Sequence, residues 1–229
     1  MAKICYTVGA VMNLEWKRRL AHGRRTLCLA AVAAALLAGL SGLTMGAKPP
    51  PGAPPQSGYL AGQLLVAAPA MRDPRFVRTV IFMVSHDAGG AMGLVVNRSL
   101  GIVPLMSLLK GLGKEEEVPG EIRVQYGGPV EPKFGFVLHT ADYVRDGTLV
   151  VNGRVALTRN LDILRAIAAG KGPRASLFTF GYAGWGPGQL ENELKAKAWV
   201  TAPADEKIIF DDKLETKWKR AMARRGIDL

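Results

Sequence analysis

Cysteine is nearly absent from this sequence, and histidine is scarce. The 229 residues include two cysteines, Cys5 and Cys28, and three histidines. Because both cysteines precede residue 58, disulfides, thiolate nucleophiles and cysteine-based metal sites are excluded from residues 58–229. Neither H-E-x-x-H nor H-x-x-x-H occurs, although close histidine pairs of this kind are typical of zinc sites. We therefore predict no metal and no cofactor.

The sequence also lacks the G-x-S-x-G motif that marks the nucleophile of many hydrolases. Ser85, His86 and Asp87 are the residue types of a catalytic triad. Neighbouring side chains on a strand point to opposite faces, so these three cannot form a triad among themselves. A hydrolase-type enzyme that uses His86 or His139 as a base, with distant partners, remains an alternative.

Positive charge exceeds negative charge, and the excess is unevenly distributed. The chain has 30 Lys and Arg residues against 19 Asp and Glu residues. Residues 1–57 hold seven of the basic residues and one of the acidic ones. Residues 58–229 are therefore only mildly basic, which is a weak indication of an acidic partner.

A run of 17 residues without a charge, residues 27–43, follows the basic segment KRRLAHGRR. This order is typical of a signal peptide, or of a membrane anchor when it is not cleaved. We predict a leader at residues 1–47 and a proline-rich linker at residues 48–57. The domain that follows would then be exported or anchored in the inner membrane. If translation starts instead at Met45, the domain is cytoplasmic.

The pattern from residue 58 to residue 229 predicts one compact α+β domain, with a mainly antiparallel or mixed sheet and packed helices. Apolar runs at 79–86 and 91–100 flank the turn signal DAGG and predict a β-hairpin. The clearest helical pattern lies at 158–173. Further helices are predicted at 104–112, 188–198 and 214–226, and further strands at 122–129, 134–140, 174–181 and 207–211.

The segment GYAGWGPG, residues 181–188, places four glycines before a helical pattern. A glycine-rich turn at a helix N-terminus can bind phosphate. This one lacks the lysine and hydroxyl residue of a P-loop, and Glu191 and Glu193 would face the phosphate. The glycines therefore favour a tight turn or a close approach of two chain segments. Tyr182 and Trp185 then either fill the core or line a pocket.

Four segments in this order resemble blocks of the YqgE/AlgH family: residues 67–98, 126–140, 181–205 and 208–222. The resemblance extends over nearly all of residues 60–227 and implies a single α+β domain that is usually cytoplasmic. It implies no established reaction. It carries an association with transcriptional regulation of alginate synthesis, although the family has no recognised DNA-binding motif. The leader is a departure from the usual member.

These observations favour a non-enzymatic regulatory or binding protein, with a transcription-linked role as one form of it. A pocket between residues 181–189 and the hairpin at 85–97 would bind a small ligand or a protein segment. The candidate ligand-binding residues are Asp73, His86, Asn97, Gly127, Gly128, Tyr182, Trp185, Gln189 and Glu191. A second alternative is direct nucleic-acid binding through Lys217, Arg220 and Arg224 of the C-terminal helix, which requires a cytoplasmic domain.

Overall fold

The structure is a computed structural model that describes residues 59–115 and 117–226. The predicted leader and linker lie outside the described residues. Within the described residues the chain forms ten strands: β1 Leu64–Ala67, β2 Val80–Asp87, β3 Gly90–Val95, β4 Ser99–Pro104, β5 Glu121–Tyr126, β6 Val130–Thr140, β7 Thr148–Asn152, β8 Val155–Thr158, β9 Ser176–Trp185 and β10 Trp199–Ala202.

The same residues form five helices: α1 Leu105–Gly111, α2 Asp162–Ala168, α3 Gln189–Lys195, α4 Glu206–Phe210 and α5 Leu214–Ala223. The helix predicted at 158–173 is α2, which is shorter than its sequence pattern. None of the helices in the described part of the chain has the length and hydropathy that crossing a membrane requires.

The strands form one curled sheet in the order β10-β1-β2-β3-β9-β6-β8-β7. The strand β5 lies beside the first half of β9, and β4 lies beside β5. The β5–β9 pair is parallel and the other pairs are antiparallel. The predicted α+β class and the hairpin of β2 and β3 are therefore confirmed. Because β9 pairs with β3, β5 and β6, it is the central strand that positions the glycine-rich segment.

Apolar side chains on both faces of the sheet form three buried clusters. The first lies between the sheet and the helices α4 and α5, and it includes Phe82, Leu94 and Phe136. The second includes Trp185 and Trp199 beneath α3. The third packs α1 and α2 on the opposite side of β5 and β9. Helices thus cover both faces, as the nearly continuous apolar strands require.

Residues 207–211 belong mostly to helix α4, so the strand predicted there is wrong. The side chain of Asp205 accepts hydrogen bonds from the backbone N–H groups of Lys207 and Ile208, at 2.8 and 3.4 Å, and caps the first turn. A short apolar run does not distinguish a strand from a buried helix. The loop expected at 181–189 is also shorter than predicted, because β9 continues to residue 185.

Candidate functional site

The turn from β9 into α3 is built around the carboxylate of Glu193. Its Oε2 accepts hydrogen bonds from the indole N–H groups of Trp185 and Trp199, at 2.9 and 2.8 Å. Its Oε1 accepts a hydrogen bond from the side-chain amide of Gln189, at 2.9 Å. The amide oxygen of Gln189 in turn accepts the backbone N–H of Gly186, at 3.1 Å. Because these polar groups satisfy one another, the network holds the turn rigid.

The aromatic residues of the segment lie in the interior. Trp185 and Trp199 are each 3% exposed and pack edge to face, with ring centroids 6.1 Å apart. Tyr182 is also buried and packs edge to face against Phe136, and burial raises the pKa of Tyr182 to about 12. Of the two interpretations of Tyr182 and Trp185, the structure supports core filling over lining an open pocket.

His86 lies beside this network and is fixed through both ring nitrogens. The backbone N–H of Leu60 donates to Nδ1, at 3.1 Å, so Nε2 carries the proton and donates to Oε1 of Glu191, at 2.8 Å. The side chain of His86 is 1% exposed, whereas that of Glu191 is 41% exposed. The backbone amide of Glu191 and the His86 ring hold the pKa of the Glu191 carboxyl below its usual value.

The turn between β2 and β3 packs directly against the glycine-rich turn. A Cβ atom at Gly90 would lie 2.3 Å from the carbonyl oxygen of Trp185, so the two chain segments approach at a distance that only glycine allows. Residues 187–189 and residues 88–89 are exposed. Residues 87–90 together with residues 186–191 therefore form a composite surface, called the loop surface below, which includes Gln189 and Glu191.

Gly127 and Gly128 lie at a close crossing of chain segments rather than on the loop surface. A Cβ atom at Gly127 would lie 2.2 Å from the carbonyl oxygen of Gly181. One at Gly128 would lie 2.1 Å from the carbonyl carbon of Tyr182. Both glycines therefore allow the β5–β6 connection to pass against β9, and neither offers an open backbone cradle.

Asp73 and Asn97 lie away from the loop surface, near the beginning of β2. The side-chain amide of Asn97 accepts the backbone N–H of Val80 and donates to the carbonyl of Arg78, at 2.9 and 2.8 Å. Asp73 forms an ion pair with Arg75 at 2.6 Å, and the hydrogen bond from Arg75 lowers the pKa of Asp73. The predicted residues thus fall into separate groups, and only His86, Trp185, Gln189 and Glu191 come together.

His139 is fully buried and does not face the loop surface. Its Nδ1 donates to the carbonyl of Thr140 at 2.9 Å, and burial lowers its pKa. His86 has both nitrogens engaged, and His139 is shielded from solvent. Neither histidine of the described residues therefore offers a substrate an accessible base, which weakens the hydrolase alternative.

The sequence model of the DUF179 family, described as AlgH-like, matches residues 64–229. This chain belongs to the AlgH-like family.

Relatives and solved structures agree with this assignment. A UPF0301 protein from Rhodospirillum rubrum is 50% identical over 172 residues, covering 75% of this chain and 90% of the relative. The solution structure of the AlgH protein from Pseudomonas aeruginosa is similar, with a TM-score of 0.65 and 43% identity over 76% of this chain and 92% of that one. A crystal structure from Corynebacterium diphtheriae, with a TM-score of 0.59 and 23% identity over 73% of this chain and 88% of that one, shares the fold.

In this AlgH-like domain the prediction of an exposed basic face on the C-terminal helix is wrong. Lys217 is fully buried, and its Nζ donates to the carbonyl oxygens of Val96 and Ile209, at 3.0 and 2.6 Å. Arg220 pairs with Asp211 and Arg224 pairs with Asp205. The predicted helical spacing is present, but the long lysine stem turns inward and acidic residues of neighbouring segments neutralise both arginines.

Lys217 makes stability depend on pH in a defined direction. Burial lowers the pKa of Lys217 from 10.5 to about 8, so the unfolded chain binds the proton more tightly than the folded domain does. The free energy of unfolding therefore rises with pH between about 8 and 10.5. Between about pH 7.5 and 9.5, we expect the free energy of unfolding of wild type to increase by on the order of 2 kcal/mol more than that of Lys217→Met. Urea unfolding at each pH measures this difference. Parallel pH profiles of the two proteins would contradict this.

Two features of the AlgH-like domain are not predicted by the sequence patterns. The patterns mark Glu193 only as a charge near a helix end, although its spacing from Trp185 and Trp199 is visible in the sequence. A cleft of about 140 Å³ lies between the β7–β8 turn and the segment after β10. It is lined by Gly62, Asn152, Arg154 and Glu206, among others. No local sequence signal marks this cleft, because it depends on how the two ends of the sheet curl together.

Proposed function

We propose that this AlgH-like domain is a non-enzymatic binding protein that recognises a segment of a protein partner through its loop surface. The observation that supports this proposal is the position of the Glu193 carboxylate. It accepts hydrogen bonds from Trp185, Trp199 and Gln189 beneath the surface. A recognition surface held in one conformation loses little entropy on binding, so rigidity of this kind favours affinity.

The exposed chemistry of the loop surface suits hydrogen-bond donors or cationic groups. Glu191 uses Oε1 to accept from His86, and its side chain is 41% exposed, so the carboxylate is accessible to a partner from the solvent side. Asp87 is the other acidic residue of this surface. The buried ring of His86 fixes the direction of the Glu191 carboxylate. Preorganised carboxylates of this type give specificity more than raw affinity.

A photocrosslinking experiment tests this proposal. In one variant a photoreactive amino acid replaces Ala88, which is exposed within the loop surface. In a second variant it replaces Lys171, which is exposed in the segment that precedes β9, at the opposite end of that strand. We expect a crosslinked species in the native host from position 88 and none from position 171. Glu191→Gln keeps an acceptor for His86 but removes the charge, and we expect it to reduce crosslinking about tenfold. The same species from both positions, or none from position 88, would contradict the proposal.

A regulatory role would operate through this partner. Direct nucleic-acid contact through α5 has lost its support, because Lys217 is buried and Arg220 and Arg224 are paired with carboxylates. A transcription-linked role, which the family resemblance implies, would then be of the indirect kind.

We propose from residues 1–47 alone that the domain is exported or anchored in the inner membrane, where the partner would also reside. Protease added to intact spheroplasts is then expected to digest the domain. Protection until the cells are lysed would place the domain in the cytoplasm, in agreement with a start at Met45.

A further inference from the structure

The strand β4 forms an open edge of the sheet. It pairs with β5 on one side, and no other described strand pairs with it. The backbone N–H of Leu105 donates to the carbonyl of Gly120 on the β5 side, at 2.9 Å. Because hydrogen-bonding direction alternates along an antiparallel ladder, the N–H and C=O groups of Ile102 point away from β5. Among residues 59–115 and 117–226 these groups have no other backbone partner, so they are available to a further strand.

The side chains of this edge are apolar and exposed. Leu100 and Ile102, two residues apart on β4, are 61% and 56% exposed, and Met106 of α1 is also exposed nearby in the chain. The strand, with the sequence SLGIVP, contains no charged residue. Edge strands are usually protected by charges, bulges, proline or a covering element. β4 has a bulge at Leu100 and ends at Pro104, but it has no charge, and its exposed apolar pair is typical of an interaction site.

Positive charge surrounds the beginning of β4. The guanidinium group of Arg98 donates to the carbonyl of Val77 at 3.0 Å, which places it beside the segment that carries Arg75 and Arg78. Asp73 pairs with Arg75. Within the described residues no carboxylate lies within ion-pair distance of Arg98 or Arg78. Arg78 lies over the ring of Trp218, 5.9 Å from its centroid, and the charge of Arg98 is close enough to lower the pKa of Asp73. The edge thus combines outward-pointing backbone groups, apolar side chains and the guanidinium group of Arg98.

We propose that β4 accepts an extended segment of a partner protein as an additional strand, and that an acidic residue of this segment pairs with Arg98. Strand addition uses main-chain hydrogen bonds for affinity and alternate side chains for specificity. A nucleic acid would satisfy the arginines but would leave Leu100 exposed and the outward groups of Ile102 without ladder partners. This surface is separate from the loop surface, which lies beyond the far end of β9, so the two proposals stand independently.

A peptide-display selection on the full chain tests the proposal with a defined probe, a library of random ten-residue peptides. We expect enriched peptides to alternate apolar residues and to carry Asp or Glu near one end. Arg98→Glu and Ile102→Lys should each weaken their binding at least about tenfold. A peptide in which lysine replaces the acidic residue should bind Arg98→Glu again, because the charges of the pair are then exchanged. On addition of peptide, hydrogen exchange at the Ile102 amide should slow.

Matched controls separate the possible outcomes. Val150→Lys alters another exposed apolar residue on an edge strand, and Glu191→Gln alters the loop surface; neither should change peptide binding. An empty selection, or peptides insensitive to Arg98→Glu and Ile102→Lys, would overturn the proposal. Concentration-dependent dimers abolished by Ile102→Lys would assign the edge to a second copy instead. Salt-sensitive oligonucleotide binding lost in Arg98→Glu but retained in Ile102→Lys would assign it to nucleic acid.

Discussion

Replacing Glu193 with alanine is expected to lower the free energy of unfolding by about 3–5 kcal/mol. The substitution leaves the indole N–H groups of Trp185 and Trp199 without their acceptor, and both rings are nearly buried. A buried donor that loses its partner costs roughly 1–3 kcal/mol. Gln189 also loses the acceptor for its side-chain amide, so the turn before α3 loosens. Urea unfolding followed by tryptophan fluorescence measures the effect, because the two affected rings are two of the four tryptophans of the chain.

Two further variants serve as controls for the size of the stability loss. Glu193→Gln preserves the shape and one acceptor oxygen, so its loss should be smaller than that of alanine. Glu215→Ala removes an exposed glutamate from the first turn of α5 and should change stability by less than about 0.5 kcal/mol. If Glu193→Ala were as stable as Glu215→Ala, the carboxylate would not organise the turn, and the rigidity assigned to the loop surface would be lost with it.

The Glu193 network shows where sequence reasoning reaches its limit. The strand pattern and the DAGG turn are sufficient to predict the β2–β3 hairpin, because alternation and turn chemistry are local. The convergence of Trp185, Gln189 and Trp199 on one carboxylate depends on the direction in which α3 leaves β9 and returns to β10. No local pattern encodes this direction. In the sequence, Glu193 therefore looks like any acidic residue in a first helical turn.

Lys217 shows a second limit of sequence reasoning: its position on the helix is predicted, but its burial is not. Its spacing from Arg220 and Arg224 predicts one helical face, and that geometry is present. Periodicity cannot show that the amine reaches carbonyl oxygens of Val96 and Ile209 in the interior, because these acceptors belong to distant segments. Long cationic side chains are therefore the residues for which a helical pattern predicts position but not environment.

Gly128 carries the second large expected effect. Its φ of +152° lies in the region that residues with a side chain rarely adopt. A Cβ atom there would also lie 2.1 Å from the carbonyl carbon of Tyr182 and 2.3 Å from the nitrogen of Ala183. Backbone atoms of β9, the central strand, cannot move aside without breaking its pairing with β3 and β6. We therefore expect Gly128→Ala to lose more than about 4 kcal/mol of stability, or to accumulate as insoluble protein.

Gly153 provides the matched control, because it lies in the β7–β8 turn and a Cβ atom added there would have no neighbour within 4 Å. Gly153→Ala should change the unfolding midpoint little, whereas Gly128→Ala should abolish the cooperative transition measured by circular dichroism. A folded Gly128→Ala protein with wild-type stability would mean that the chain crossing is not tight. Gly127 and Gly128 would then return as candidates for ligand contact. The predicted loss of folding assigns both glycines to the architecture, and it leaves the loop surface and the β4 edge as the two surfaces proposed for binding.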